Sequence, residues 1–509
     1  MEAELIKEHV VTSYPSAKFT LNISAEGESI VPDVKKDIAE IVLTESRSFI
    51  EKTEIQKNRV IFTGVSEFTV LYLAEDSSAL NSLTVKIPFN HIRESEGVNP
   101  DDKFTEHYET IHSECTLLNS RKISLKSIIS VNFMSYSDIS LPVATKISSS
   151  EAEVKSEDAA FSRIVSAVEE CFTVSDFLEI PPSAEPIDSI LLSRASVKDT
   201  SFKTVTGKAV IKGTLSVFQL YLSEEGTLSH MQHDLPFTEI IDVPDLTEDD
   251  CPDFSFTIKS FSAESSAEEK AGRGFYVTAD ILFNATVFIT ERLSVISDSY
   301  IPGIDVSLAS SLCKKCEILK TENLSLSIKS ALSLPPEIPE TNLLCPVEAK
   351  ITDLNADVEN GKITVTGTIE AKMLFIAEET SSVLAHIHHI PFSEVYDSPV
   401  KTPCIFIKGK ITHTDYSFAN QSKLDLRCFA ELSITLSENT DSFRIINAVN
   451  VGDPINPERP SIIIYFVKSG DTLWDIAKKY NTTKEKIISA NALENEDILN
   501  AGMRLLIPA

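Results

Sequence analysis

The sequence has few of the residues from which reactive loops are built. Its 509 residues include 15 glycines, 8 cysteines and 1 tryptophan. No glycine-rich phosphate loop, zinc-binding helix motif or nucleophile elbow is present, and the thinly spread cysteines form no compact disulfide framework. We therefore expect a non-enzymatic protein without catalytic residues, metal or cofactor, whose cysteines are mostly reduced.

Basic residues are also scarce. Lys and Arg total 46 against 76 Asp and Glu, a formal charge of −30, which argues against nucleic acid as a partner because phosphate binding depends on clustered cations. From Ser461 onward the two signs balance at six each, so the acidic excess lies in residues 1–460. This uneven charge suggests that residues 1–460 form an acidic, soluble body and that the neutral tail contacts a binding partner.

Long apolar runs are absent as well. No stretch reaches the length of a membrane span, and the N-terminus lacks the basic start and apolar core of a signal peptide. We therefore expect a cytoplasmic protein. At 509 residues it should contain three to five domains, because single cores rarely exceed roughly 250 residues.

Two small groups of cysteines and histidines lack the full set of ligands expected of a metal site. Cys313 and Cys316 form a lone CxxC without a second pair at zinc-site spacing. His386 and His388 would share a strand face next to His389, but the first repeat described below has no histidine there. We interpret the histidines as surface polar residues.

The first 440 residues contain one pattern three times. In each copy a glycine is followed six residues later by a similar apolar and acidic stretch, and 23 or 24 residues later by the proline of an apolar-Pro-Phe run. The copies are Gly64, VLYLAED from Val70 and Ile87-Pro88-Phe89; Gly213, QLYLSEE from Gln219 and Leu235-Pro236-Phe237; and Gly367, MLFIAEE from Met373 and Ile390-Pro391-Phe392. Such constant spacing indicates a tandem repeat of one module.

Each copy is predicted to be a β module. Leu71 and Leu73 alternate with Phe68, Val70 and Tyr72, as in a strand buried on both faces. The apolar-Pro-Phe run is expected to start an edge strand, where a missing N–H is tolerated. Further β-rich runs begin and end the copies, at 18–25 and 122–136, 171–180 and 274–290, and 324–334 and 424–436. We therefore expect a mainly β fold of three tandem antiparallel modules, with linkers near 137–158, 297–312 and 450–461.

Acidic pairs follow the three anchor strands. A catalytic acid and base would need both carboxylates aimed at one cleft, whereas adjacent residues of a strand point to opposite faces. We therefore interpret the pairs as solvated turns: Glu75-Asp76, Glu224-Glu225 and Glu378-Glu379.

The last 48 residues have a different pattern. Residues 462–467 predict a strand that breaks at Ser469-Gly470, and Asp471 or Thr472 can then cap a helix. Its apolar residues fall on one face, at Leu473, Ile476, Ala477 and Tyr480.

A second helix and a second strand complete this tail. Thr482 and Glu485 form a capping-box signal for a helix that directs Ile487 and Ile488 inward. After a turn at Gly502, Leu505 and Ile507 alternate along a strand that ends at Pro508. The tail is thus predicted to be a small βααβ domain.

The tail resembles the LysM module. The match consists of the opening YxVxSGDTLWxIAKKY and of Asn491, Leu493, Ile498, Gly502, Leu505, Ile507 and Pro508, whereas Ala501 replaces the usual proline before the glycine. LysM modules bind N-acetylglucosamine-containing glycans in a groove between two loops. The resemblance implies a partner- or glycan-binding site at Gly470, Asp471, Thr472, Leu473, Trp474, Asn495, Asp497 and Ile498. For Trp474 we favour core packing over ligand contact, and we expect Asp471 and Thr472 to act first as helix caps and second as ligand contacts.

The three modules resemble the SPOCS domain, through the block G-x5-[VQM]-L-[YF]-[LI]-x-E-[DE] and the later [IL]-P-F. With the LysM tail they resemble the SipL-like coat morphogenetic proteins of clostridia. The implied domains are SPOCS-like modules at 10–138, 160–298 and 315–440, a linker at 441–460 and a LysM domain at 461–509. In that family the LysM domain engages a coat-assembly ATPase at the forespore surface, in the mother-cell cytoplasm.

Two functions follow from these observations. The first is a scaffold of the spore coat, with the tail docked to the ATPase and the β modules associated with other coat proteins. The alternative is a peptidoglycan-binding protein that acts through the LysM groove. Because an acidic, cytoplasmic body offers no route to the outer wall, we favour the protein partner.

Overall fold

The computed structural model describes residues 4–75, 77–243, 246–247, 253–265, 273–334, 342–343, 346–376, 383–398, 404–420, 423–455, 461–493 and 499–508. Strands make up most of this structure, and the only helices within these ranges lie in the tail. The predicted mainly β fold is therefore confirmed.

The first module is built from six strands in two sheets. They are β1 (Leu5–Ile30), β2 (Ile38–Gln56), β3 (Arg59–Ala74), β4 (Ser77–Glu94), β5 (Lys103–Asn119) and β6 (Lys122–Ile147). One antiparallel sheet has the order β1-β6-β5 and the other has the order β2-β3-β4. The first and last strands of the module therefore pair with each other.

The other two modules repeat this plan. The second contains β7 (Glu153–Glu179), β8 (Ile187–Val205), β9 (Lys208–Ser223), β10 (Leu228–Asp242), β11 (Asp253–Ser265) and β12 (Gly274–Tyr300). The third contains β13 (Ile304–Ser333), β14 (Asn342–Leu343), β15 (Glu348–Glu359), β16 (Lys362–Ile376), β17 (Val383–Asp397), β18 (Cys404–Asn420) and β19 (Lys423–Pro454). The sheet orders are β7-β12-β11 with β8-β9-β10, and β13-β19-β18 with β15-β16-β17, where the short β14 also pairs with β16.

Cross-strand packing explains the repeated glycine and phenylalanine. Gly64 lies directly opposite Phe89, and a Cβ on Gly64 would come within 2.6 Å of the Phe89 ring and 2.0 Å of the Phe49 carbonyl oxygen. The same pairing joins Gly213 to Phe237 and Gly367 to Phe392. Glycine is thus needed in each copy because the phenylalanine ring occupies the space above it.

The anchor strand is buried on both faces, as predicted. Phe68, Val70, Leu71 and Tyr72 are all fully buried on β3. The prolines of the apolar-Pro-Phe runs do lie on edge strands, β4, β10 and β17, but in the middle of each strand rather than at its start.

The predicted linkers are wrong, because strands run through most of them. Residues 137–147 continue β6, residues 297–300 end β12, and residues 441–454 belong to β19. Apolar residues spaced by two, such as Leu141 and Val143, are buried there against the other modules. The domain limits themselves stay predictions.

The three modules meet around a pseudo-threefold axis. One apolar cluster contains Leu71, Leu220 and Leu374, which hold the same position in the three anchor strands. A second cluster joins the paired first and last strands of all modules, through Val143, Val295 and other residues. The β body is therefore one packed unit in which each module covers apolar surface of the other two.

Hydroxyl groups bond neighbouring modules near this axis. Ser13 Oγ accepts the Ile164 N–H at 2.9 Å, and Ser162 Oγ accepts the Ile318 N–H at 2.7 Å. Thr12 Oγ1 donates to the Ser162 carbonyl oxygen at 3.1 Å. These buried backbone groups thus find partners in the next module, which fixes the modules relative to each other.

The tail forms the predicted βααβ domain. It contains β20 (Ile462–Phe466), α1 (Leu473–Lys479), α2 (Lys484–Asn491) and β21 (Arg504–Pro508), and β20 pairs with β21. One boundary differs from the prediction. Thr483, not Thr482, is the N-cap of α2, where its side chain accepts the Lys486 N–H; Thr482 is buried.

Candidate functional site

The loop after β20 is a tight turn on the surface of the tail. The Asp471 N–H donates to the Lys468 carbonyl oxygen, and Gly470 has a φ of +91°, which favours glycine. Ser469 and Gly470 are exposed at its tip. The first loop of the predicted groove therefore offers its backbone to a partner.

Asp471 holds this turn in shape. Its Oδ2 accepts a hydrogen bond from the Tyr465 hydroxyl and another from the Lys468 N–H, both at 2.7 Å. These bonds lower the pKa of Asp471, and the bond to Asp471 raises the pKa of Tyr465 to about 12. Asp471 thus joins β20 to the turn through hydrogen bonds and is not a helix cap.

Thr472 is the N-cap of α1. Its Oγ1 accepts the Asp475 N–H at 3.1 Å and donates to Asp475 Oδ2 at 2.7 Å. The next two predicted site residues, Leu473 and Trp474, are 4% and 6% exposed. The structure therefore brings Gly470, Asp471 and Thr472 to the loop and places Leu473 and Trp474 in the core of the tail. Whether they bind a partner stays a prediction.

The second loop of the groove, with Asn495, Asp497 and Ile498, lies outside the described residues. Its neighbour Asn491 has a structural role that sequence reasoning did not assign. The Asn491 side chain donates to the Leu506 carbonyl oxygen at 2.6 Å and accepts the Leu506 N–H at 2.7 Å. This amide bonds the outer edge of β21 as another strand would, which accounts for an asparagine at the end of α2.

A cavity of about 630 Å³ with many charged side chains in its wall lies where the three modules meet, and the sequence did not predict it. Three positions equivalent in the repeats, one from each module, form an ionic triad in its wall. Arg194 donates to Glu45 and lies 2.9 Å from Glu348. Burial alone would raise the pKa of Glu45, but Arg194 outweighs it and lowers this pKa to about 2; burial raises the pKa of Glu348.

The other charged groups of the cavity also find partners. Lys408 pairs with Asp253 at 2.7 Å, and Glu370 lies 3.4 Å from Lys350. Burial raises the pKa of Glu109 to about 8, which favours its neutral form at pH 7. Because the charges in its wall largely neutralise each other, we interpret the cavity as a place where ion pairs join the three modules.

The histidine and cysteine groups noted in the sequence lie on strands β17 and β13. His386 and His388 share a face of β17, as predicted, with ring centroids 6.3 Å apart, but they are half-buried, and burial lowers the pKa of both. Cys313 contacts the Phe443 carbonyl oxygen, and Cys316 is buried. In the part of the chain that the structure describes, no three His, Cys, Asp or Glu side chains are grouped as a metal site.

Neither of the two described helices has the length and hydrophobicity needed to cross a membrane. Comparison with protein families gives two matches. The LysM domain matches residues 465–508, and the SipL, SPOCS domain matches residues 37–118 and 186–265. The SPOCS matches cover β2 to β5, except the last residue of β5, and all of β8 to β11, without the long strands that meet at the axis.

Comparisons with curated proteins and with solved structures give no match. SPOCS and LysM are binding or structural domains, and no family of enzymes is among the matches. This is the domain content of a sporulation-related protein with a peptidoglycan-binding type of module. The chain thus combines SipL-type SPOCS domains with a C-terminal LysM domain, as its sequence motifs indicated.

Proposed function

We propose that this protein is a non-enzymatic scaffold in spore coat assembly. Its LysM domain docks to a coat morphogenetic ATPase at the forespore surface, on the mother-cell side, while the β modules associate with other coat proteins. The observation that carries this proposal is the combination of SPOCS domains with a LysM domain in one chain. The architecture supports it, because a body fixed by buried contacts among three modules presents its outer faces in a constant arrangement.

The loop of residues 468–472 is the surface we assign to the ATPase. It is exposed, it is held by Asp471, and a substitution at its tip leaves these bonds in place. The test is capture of the purified ATPase by the full chain and by Ser469→Glu. We expect the charge at the tip to weaken capture at least tenfold.

The matched control is Ser489→Glu, which places the same charge on the exposed surface of α2. Capture by this variant should equal that of the original chain. Equal capture of the ATPase by all three proteins would contradict the assignment of the loop. If none of the three proteins captured the ATPase, the ATPase would be excluded as the partner.

A glycan is the second candidate ligand, and the LysM match itself favours it. Retention of the same three proteins on purified peptidoglycan separates the two functions. The scaffold function predicts no glycan-dependent retention. Retention that only Ser469→Glu loses, without capture of the ATPase, would establish the glycan function instead.

A further inference from the structure

The end of β12 contacts the LysM domain through a set of directed bonds. Asp298 accepts hydrogen bonds from Trp474 Nε1 at 2.9 Å and from Lys478 Nζ at 2.6 Å. The Tyr300 hydroxyl donates to the Thr482 carbonyl oxygen at 2.9 Å. The Tyr300 ring meets the Trp474 ring edge to face, with centroids 5.1 Å apart.

The turn that follows β12 adds a further bond. The Gly303 N–H donates to Asn481 Oδ1 at 2.9 Å. Tyr300 is only 5% exposed and belongs to the same apolar cluster as Trp474 and Ile487 of the LysM core. A residue of the second β module therefore completes the core of the LysM domain.

This contact is not a by-product of the repeat. Ala144 and Ile296 occupy equivalent positions in one cluster at the axis. Counting from them, Lys146 of the first module corresponds to Asp298, and Ser148 corresponds to Tyr300. At these two positions the first module has a cation, Lys146, and a short side chain, Ser148. The second module has the hydrogen-bond acceptor Asp298 and the aromatic ring of Tyr300.

The covalent connection favours the contact. Only seven residues separate Pro454, the end of β19, from Ile462, the start of β20. The Ile455 N–H also donates to the Gly303 carbonyl oxygen, so the chain leaves the body beside the turn that the LysM domain contacts. Such a short connection makes docking intramolecular, at a high effective concentration.

We propose that residues 298–303 form a seat on which the LysM domain docks with Trp474 covered. In the docked domain the loop of residues 468–472 is accessible to a partner. The face of α1 that carries Trp474 and Lys478 is covered by the seat. A partner that binds this face of α1 must first displace Asp298 and Tyr300. A partner that binds the loop of residues 468–472 can do so while the LysM domain stays docked. The seat can form whichever ligand the LysM domain binds.

The single tryptophan of the chain makes docking measurable. We would replace the seat with the residues of the first module, as Asp298→Lys with Tyr300→Ser in the full chain. The lysine repels Lys478 and removes the acceptor of Trp474. We expect the fluorescence emission of Trp474 to shift to the red and its quenching by acrylamide to increase at least twofold.

The control is Lys146→Gln, which changes the charge at the equivalent position of the first module and should leave emission and quenching unchanged. Amide hydrogen exchange across 465–493 reports whether the LysM domain itself stays folded. Red-shifted emission with retained protection supports a seat. Unchanged emission in the double variant would overturn the seat. Loss of protection across the LysM domain would also overturn it, because residues 298–303 would then be part of the LysM fold itself.

Discussion

The β body and the LysM domain both bury apolar cores, but only the body also buries ion pairs between its parts. The body repeats one module three times and buries charged side chains where the copies meet, so its specificity depends on ion pairs between residues far apart in sequence. The LysM domain buries an apolar core within 48 residues and completes it with Tyr300 of the body. A change at the axis should therefore act on all modules, and a change in the LysM core should act locally.

The largest local effect is expected for Trp474→Ala. Removing this buried indole takes away its packing against Tyr300 and its bond to Asp298, and buried Trp→Ala changes cost about 3–5 kcal/mol. Hydrogen exchange should show faster exchange throughout residues 465–493, with the strands of the body unchanged. As a control, Ile464→Ala on the exposed face of β20 should change little. Loss of protection in the body would contradict the separation of the two regions.

Arg194→Met should destabilise the whole body. It leaves Glu45 and Glu348 at the axis without their shared cation, and breaking a buried pair in this way costs about 3 kcal/mol. Denaturant unfolding of the variant should show a lower midpoint for the whole body. Lys208→Met removes an exposed pair with Asp242 and serves as the control, with an expected change below about 1 kcal/mol. Equal effects of the two variants would rule out the axial triad as a source of stability.

The pH dependence of stability should depend on Glu109. Its pKa in the folded protein is about 8, above the ordinary value of 4.5, because burial opposes its charge. Its contribution is fully present below pH 4.5 and is lost as pH rises toward 8, by at most about 1.4 kcal/mol per pH unit. Unfolding of Glu109→Gln at several pH values between 5 and 8 should show a flatter decline. Exposed Glu114→Gln is the control, and parallel curves for Glu109→Gln and the original chain would refute the prediction.

The smallest effect is expected at the cap of α2. Thr483→Ala removes the acceptor of the Lys486 N–H and should destabilise the LysM domain by about 1 kcal/mol, whereas Thr483→Ser keeps the hydroxyl and should cost less. Hydrogen exchange of residues 484–491 measures both variants. If alanine and serine behave alike, the cap is not at Thr483.

The sequence predicted local structure well within single strands and helices. The alternation along β3 and the spacing of Leu473, Ile476 and Ala477 are patterns that depend only on one strand or one helix. It failed where the apolar face of a strand is covered only by another module. Residues 137–147 suggested a linker, yet they pair along β1, because their buried face is covered only when all three modules are together.

The candidate site shows the same limit. Residue types alone placed Gly470 in a loop and a helix cap at Asp471 or Thr472, since these roles are local, and the structure selected Thr472. The bond from Trp474 to Asp298 joins residues 176 positions apart, and no periodicity indicates it.

By itself, the sequence determined the threefold repeat, its strand-forming alternation, the constant spacing from each glycine to its apolar-Pro-Phe run and the LysM pattern of the tail. Only the tertiary structure decided that Arg194 meets Glu45 and Glu348 and that Tyr300 enters the LysM core. The physical reason is that alternation determines which face of a strand is buried, whereas the partner on that face depends on how distant modules pack.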